Sequence, residues 1–434
     1  MNEAENRNME IYSGLDFLLN SESDHLKTIQ DGNMLFQIRK DGTAGFDWFR
    51  NLAEIPEVLE IPNCIDDSPV VRILSPIADE YPSIRQIVLP DSVSDPGKNP
   101  FDCCPNLEKI VVPPGHPCLT VENGLLIDRP ARRVISCPAS LNTETVRVPS
   151  WVESIGPDAF SNCVRLHSII LPDGVTEIGE CAFSRCVSLE TITVPSGVPE
   201  LKNDTFNECT ALKQIVLPEG IRRIGDLCFA CCTSLITLRL PDSVESFGCF
   251  VFTDCENLEE IHLPAGLREI DINPFVHCKK LERIQLQAGH PNYRIEGSLL
   301  IDQSRQQVVC CFYALRKEGC SVPAGIRRIE AFAFDGIDWI REIHLPEELE
   351  SLGDGAFSEC MELRSVHLPH NLETLEDFVF IGCHKLKRMN LPKKLHFFGE
   401  FCIPREDYLT LIVERKSAAR DYCRRHGLPY RYVK

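Results

Sequence analysis

Apolar residues return along this chain with a fixed step. The prolines that end the apolar runs, Pro149, Pro172, Pro195, Pro218, Pro241 and Pro264, are each 23 residues apart. Pro323, Pro346, Pro369 and Pro392 repeat the step; Pro90 and Pro113 form it once near the start, where Pro62 opens the series. Self-similarity at a fixed period of this length is the signature of a repeat architecture.

One unit shows what the period encodes. Leu166, Ile169 and Leu171 follow an LxxLxL spacing, which predicts a short strand with Ile169 and Leu171 inward and Ser168 and Ile170 outward. Pro172 ends the strand, because proline cannot donate to a ladder. Asp173-Gly174 turns the chain and Gly179 permits a second bend. Ala182-Phe183 then predicts a short helical or 3-10 turn that drops a ring into the core, followed by Cys186 and Leu189. No unit can bury these faces alone, so the coils must stack. The expected fold is an α/β repeat solenoid with a parallel, concave β-sheet and short helical or 3-10 turns on the convex side.

Two intervals break the period in the same way. Pro113 to Pro149 and Gln287 to Pro323 are both 36 residues long. Both carry Gly-His-Pro (Gly115-His116-Pro117 and Gly289-His290-Pro291) and then Leu-Leu-Ile-Asp (residues 125–128 and 299–302). The apolar runs around Leu125 and Val134, and around Leu299 and Val308, predict hairpin-containing insertions at about 114–148 and 288–322 that replace the short outer turn. The chain thus holds two super-repeats. Its ends differ, since an open solenoid end would expose core. Residues 1–61 read as a cap with a helix around residues 12–19 and a hairpin (34–39 and 43–48) about Asp41-Gly42. The solenoid runs over 62–403. Residues 404–434 read as a closing cap, with a strand at 409–413 and an amphipathic helix from Ser417 to residue 426, stopped by Gly427 and Pro429. At helical spacing its inward residues are Ala418, Tyr422 and Cys423.

The run Ile178-Gly-Glu-Cys-Ala-Phe183-Ser-Arg-Cys186-Val-Ser-Leu189-Glu-Thr-Ile192-Thr-Val-Pro195 resembles the BspA-type, or Treponema-type, leucine-rich repeat. The resemblance covers roughly residues 34–434. It implies a leucine-rich-repeat curved solenoid and an interaction protein, with cell-surface adhesins for host matrix proteins or glycans among the members.

Composition narrows the function. The net charge of −19 argues against general nucleic-acid binding, which needs a basic footprint. The N-terminal apolar run Phe17-Leu18-Leu19 is too short for a signal-peptide core, and no stretch approaches a membrane span. The expected compartment is therefore the cytoplasm, with a surface or secreted location as the alternative if a leader has been lost. Neither a nucleophile elbow, an HExxH helix nor a phosphate-cradling glycine loop is present in the sequence, so no enzyme activity and no cofactor are expected.

Most of the 22 cysteines follow core slots, and Cys231 is the odd thiol off the ladder. Cys104, Cys163, Cys186, Cys209, Cys232, Cys255, Cys278, Cys360 and Cys383 each fall three residues after a core phenylalanine, and Ile337 replaces cysteine once. Reduced, packed thiols are the reading, since buried cysteine behaves as a small hydrophobe. A thiol or metal protein is the remote alternative, resting on Cys228-x-x-Cys231 with Cys232 and on the adjacent pairs Cys103-Cys104 and Cys310-Cys311. Asn203-Asp-Thr205 is a formal glycosylation sequon, but Thr205 takes a core slot.

The preferred function is a monomeric, non-enzymatic scaffold that binds a protein on its concave face. From Cys360 to Lys434 the chain has 14 Lys plus Arg and 9 Asp plus Glu, a net of +5, which leaves −24 on the rest. The candidate partner-binding residues are Arg239, His262, Arg341, His344, Arg364, His367, Lys387 and Arg388, and the partner surface they suit is acidic.

Overall fold

The computed structural model describes residues 25–74, 80–316, 320–406 and 409–433. The helix expected around residues 12–19 lies outside them. The rest winds into a β-solenoid of about 16 turns. Each regular coil has three walls. The first is the strand ahead of the proline, such as Thr191–Thr193. It pairs in parallel and in register with the next coil, Thr191 to Gln214, Ile192 to Ile215 and Thr193 to Val216. The second wall was not foreseen. The residues ahead of the glycine bend form a second parallel ladder of two-residue strands, with Arg223 beside Ser246 and Ile224 beside Phe247.

The third wall corrects the α/β expectation. The phenylalanine turns are not helical: among the described residues the helices are the 3-10 turn Leu52–Glu54 and the closing helix Ala418–His426. The reason lies in the backbone on either side of each ring. Around Phe183, Cys181 and Arg185 have φ of 54° and 58°; around Phe206, Asp204 and Glu208 have 56° and 58°. A left-handed residue at every fourth position breaks an α-helical ladder. Hydrogen bonding alternates to match. The N–H groups of Cys181, Phe183 and Arg185 donate to Asn203, Thr205 and Asn207 of the next coil, at 2.8–3.0 Å. Those of Ala182, Ser184 and Cys186 donate three residues back within their own coil. Half the donors of this wall are therefore committed to a neighbouring coil.

The insertions are three-stranded antiparallel meanders. Leu119–Glu122, Leu125–Asp128 and Arg133–Ser136 form the first, and its last strand pairs in parallel with Ser154–Ile155 of the second wall. Tyr293–Glu296, Leu299–Asp302 and Gln307–Cys311 form the second, which joins Arg328–Ile329 likewise. The N-terminal strands His25–Asp31, Met34–Arg39 and Ala44–Phe49 repeat the plan, joining Ser68–Ile73. Alternating side chains let each inner meander face two cores. Leu126 and Ile135 pack in the N-terminal core, while Leu125, Ile127 and Val134 pack in the central one. Leu300 and Val309 belong to the central core; Leu299, Ile301 and Val308 belong to the C-terminal one.

Within the central core, Phe160, Phe183, Phe206, Phe229, Phe252 and Phe275 stack ring on ring at 5.3–5.6 Å. Phe334, Phe357 and Phe380 resume the spine at 4.9 and 5.5 Å. A meander coil lacks the regular phenylalanine turn, and a buried asparagine bridges across it. Asn99 Nδ2 donates to the Asp158 carbonyl and Asn273 Nδ2 to the Phe332 carbonyl, both at 2.7 Å. The signal was present twice, as Asn-Pro-Phe at 99–101 and 273–275. At the far end, the Ser417 hydroxyl accepts the Arg420 N–H at 3.2 Å and caps the closing helix. Ala419, Tyr422 and Cys423 are buried, so the inward alanine is one residue later than the spacing suggested; Tyr422 stacks on Phe398 at 4.3 Å.

Candidate functional site

The proline-ended sheet carries the eight candidate residues, and the second meander divides them. Arg239 and His262 stand side by side in the three-stranded sheet Thr237–Arg239, Glu260–His262 and Arg283–Gln285. His344, His367 and Arg388 lie on the six-stranded C-terminal sheet, and Arg341, Arg364 and Lys387 stand one residue ahead of its strands. All eight are exposed except His262, which is half-buried. His344 and His367 share one column, but among the described residues no third metal-ligating group joins them. Asn390, next in that column, turns back: its amide bonds the Leu368 N–H and carbonyl at 2.9 and 2.7 Å.

Arg341, Arg364 and Lys387 form a second column at the entry to these strands. The Arg364 N–H donates to the Arg341 carbonyl at 2.9 Å, and the Lys387 N–H to the Arg364 carbonyl at 3.1 Å. Three cations therefore stack on successive coils. Glu362 answers part of this charge, pairing with Lys385 and lying 3.9 Å from Arg364. The Lys385 hydrogen bond holds the Glu362 carboxyl below its usual range. Among the described residues Arg341, Lys387 and Arg388 form no ion pair.

The thiol reading can be tested on geometry. In the regular coils the ladder cysteine donates its S–H to the carbonyl of the preceding coil's core phenylalanine: Cys186 to Phe160, Cys209 to Phe183, Cys255 to Phe229 and Cys383 to Phe357, each at 3.1 Å. The slot thus takes a small or medium apolar group, and where that group is cysteine it also donates, a bond the sequence pattern did not disclose. Burial pushes the Cys209 and Cys383 thiols up to about 12, which keeps them protonated. All 22 cysteines are free thiols. In the CxxC run, Cys228 and Cys232 are buried, with Cys232 donating to Phe206 at 3.3 Å. The half-buried Cys231 is pushed up to about 11, mainly by burial.

One mixed cluster lies elsewhere, on the second wall, where ligand atoms of Asp226, Cys249 and Asp271 fall within 4.8 Å of one another. The repeat accounts for its parts. Asp226 Oδ1 accepts the Cys249 N–H at 2.8 Å, and Asp271 faces Arg223 at 3.8 Å. Burial and then the two carboxylates raise Cys249 to about 11. Asn203 of the sequon is likewise occupied, accepting the Asp226 N–H at 2.9 Å, and Thr205 is fully buried. An open cleft of about 500 Å³ lies between the last coil and the closing helix, lined by Phe397, Phe398, Phe401, Arg405, Tyr422 and His426, away from the candidate columns.

Comparison with known proteins agrees with this architecture. The chain matches the family model for the BspA type leucine rich repeat region in six copies, over residues 70–122, 136–248, 223–296 and 309–418. A leucine rich cell surface protein from Faecalibacterium prausnitzii A2-165 is 23% identical, with 95% of this chain and 96% of that one aligned at a TM-score of 0.51. A leucine-rich repeat protein from Bacteroides ovatus is 22% identical over 96% and 100% of the two chains, at a TM-score of 0.39. The pneumococcal vaccine antigen PcpA is 14% identical over 95% and 100%, at 0.48. No curated protein sequence matches the chain. No helix of the described residues is long and apolar enough to cross a membrane.

Proposed function

The chain belongs to the BspA-type leucine-rich repeat family, and from that premise we propose that it is a non-enzymatic scaffold that binds a protein partner on its proline-ended, concave sheet, through the basic C-terminal columns. The observation that carries this reading is the stack of Arg341, Arg364 and Lys387. Like charges on adjacent strands destabilise a sheet. Elsewhere the repeat often sets a cation against an acid one coil away, as in Lys213 with Glu190, Arg222 with Glu245, Lys279 with Glu256 and Arg327 with Glu350, and the like-charged Glu259 and Glu282 share Arg283. An arrangement that costs stability, on strands whose outward side chains need not pack the core, fits use by an acidic ligand.

The test is charge reversal. A partner recovered by pull-down should bind the Arg364→Glu, Lys387→Glu, Arg388→Glu triple variant several-fold more weakly, with added salt mimicking the effect and the melting temperature nearly unchanged. Binding equal to the parent at every salt concentration would reduce these residues to a solvated end. A second reading, an adhesin displayed outside the cell, is favoured by the F. prausnitzii protein, described as a cell surface protein. Immunolabelling of intact source cells separates the two locations: labelling without permeabilisation supports the adhesin.

A further inference from the structure

The C-terminal sheet ends on an edge. Its strand order closes with Arg388–Leu391, Thr410–Val413 and Tyr430–Tyr432, and no described residue pairs beyond the last. Tyr430–Tyr432 runs parallel to Thr410–Val413, with Leu411 beside Tyr430, Ile412 beside Arg431 and Val413 beside Tyr432. The bonds between the two strands use alternate residues: Leu411 N–H donates to the Pro429 carbonyl and Val433 N–H to the Val413 carbonyl. In a parallel ladder the N–H and C=O of the intervening residues point the other way. Tyr430 and Tyr432 therefore present their backbone donors and acceptors outward, the template that a further strand reads.

The surroundings of this edge are mainly basic. Arg431 extends the outward column of His344, His367 and Asn390 through Ile412. The Arg415 guanidinium lies over the Tyr432 ring at 5.1 Å, and Lys416, Arg424 and Arg425 are exposed nearby. The acids present are Glu414 and Asp421, and Asp421 is taken by Arg420 at 2.9 Å. The opposite end of the proline-ended series differs in sign. Its first strand, Val58–Glu60, is flanked by exposed Glu54 and Glu57.

We propose that the edge strand Tyr430–Tyr432 takes an extended acidic segment of a partner protein by strand addition, the partner's carboxylates meeting Arg431 and Arg415 while its backbone pairs with Tyr430 and Tyr432. The proposal deepens the reading of the sheet as a basic docking face: it names a backbone-paired segment, where that reading names only an acidic surface.

The probe is a labelled octapeptide of alternating glutamate and threonine, its binding followed by fluorescence polarisation at low salt. Tyr432→Pro removes the outward N–H at an edge position where proline is tolerated, so the fold should persist, checked by melting temperature. Arg431→Glu is a second variant that leaves the backbone untouched. Peptides N-methylated on one or the other alternate set of residues serve as the backbone control. The expected result is binding that weakens about tenfold or more, roughly 1.4 kcal/mol, with Tyr432→Pro, with Arg431→Glu and with one methylated set only. No binding by the parent chain overturns the proposal. So does binding that survives Tyr432→Pro and both methylated sets but is lost in the Arg364, Lys387, Arg388 reversal, which would leave the face reading intact. Binding lost in Tyr432→Pro and untouched by that reversal upholds the edge and removes the face reading.

Discussion

The central coils, Pro149 to Gln287, and the C-terminal coils, Pro323 to Val413, share one interior and differ on one surface column. Inside, both carry the stacked phenylalanine spine and the cysteine S–H to phenylalanine carbonyl bond. On the column ahead of the proline-ended strands, the central coils read Glu144, His167, Glu190, Lys213, Ile236, Glu259 and Glu282. The C-terminal coils read Arg341, Arg364, Lys387 and Thr410 in the same place. The lesson is that the period fixes what a coil needs to fold and leaves this column free. The difference on it is therefore not one that folding requires.

The comparison can be broken first at the spine. Phe206→Ala in the central array and Phe357→Ala in the C-terminal one should each cost about 3–5 kcal/mol, as for other buried aromatic truncations. Denaturant unfolding would measure both. A large difference between the two would mean the arrays do not share a core. Next comes the ladder. Cys209→Ala and Cys383→Ala remove an S–H donor, and leave the Phe183 and Phe357 carbonyls with the backbone N–H groups of Cys186 and Cys360 alone, at about 0.5–1.5 kcal/mol each. If Cys→Val is as stable as the parent at both sites, the S–H bond contributes nothing. All 22 thiols should titrate in denaturant without reductant; a titre near zero would show the ladder bridged.

The joint between the arrays gives a pH signature. His277 lies between Asp254 at 3.0 Å and Asp335 at 3.2 Å, the latter across the meander coil. Hydrogen bonds to Asp254 and then Asp335 raise it from 6.5 to about 10. A folded value above the unfolded one means that the stabilisation is complete below pH 6.5 and is lost as pH rises through 10. Melting temperature should therefore fall across that window, and His277→Gln should flatten the fall. Equal slopes in parent and variant would show that the clamp does not hold the two arrays together. The imidazole is more than a third exposed, so solvent screening keeps this effect modest.

The smallest effect sharpens the comparison most. Arg364→Glu, which breaks the cation stack, should raise stability by a few tenths of a kcal/mol, about 0.2–1 at most, while weakening partner binding. Glu190→Lys, which builds a like-charge contact with Lys213 in the central column, should lower stability by a similar amount. If both substitutions are neutral in thermal unfolding, the basic column costs nothing and loses its value as a sign of function.

The sequence by itself determined the repeat, its step, the position of both insertions, the closing helix and the inward identity of each phenylalanine and cysteine. These are one-dimensional facts: a side chain that must meet its equivalent one coil away has to recur at one spacing. It also held the basic C-terminal residues, since charge is countable. Only the tertiary structure decided the rest. An Ala-Phe-x-x-Cys run suits a helical turn as well as a tight one, and what rejected the helix was the neighbouring coil, which claims the N–H groups of Cys181, Phe183 and Arg185. The second strand wall recurs at the same step, as Ile178, Leu201, Ile224 and Phe247, but two residues are too few to show the alternation that marks a strand. That Arg341, Arg364 and Lys387 stand in one column, with the second meander setting them apart from Arg239 and His262, follows from register between coils, which exists only once the chain is wound.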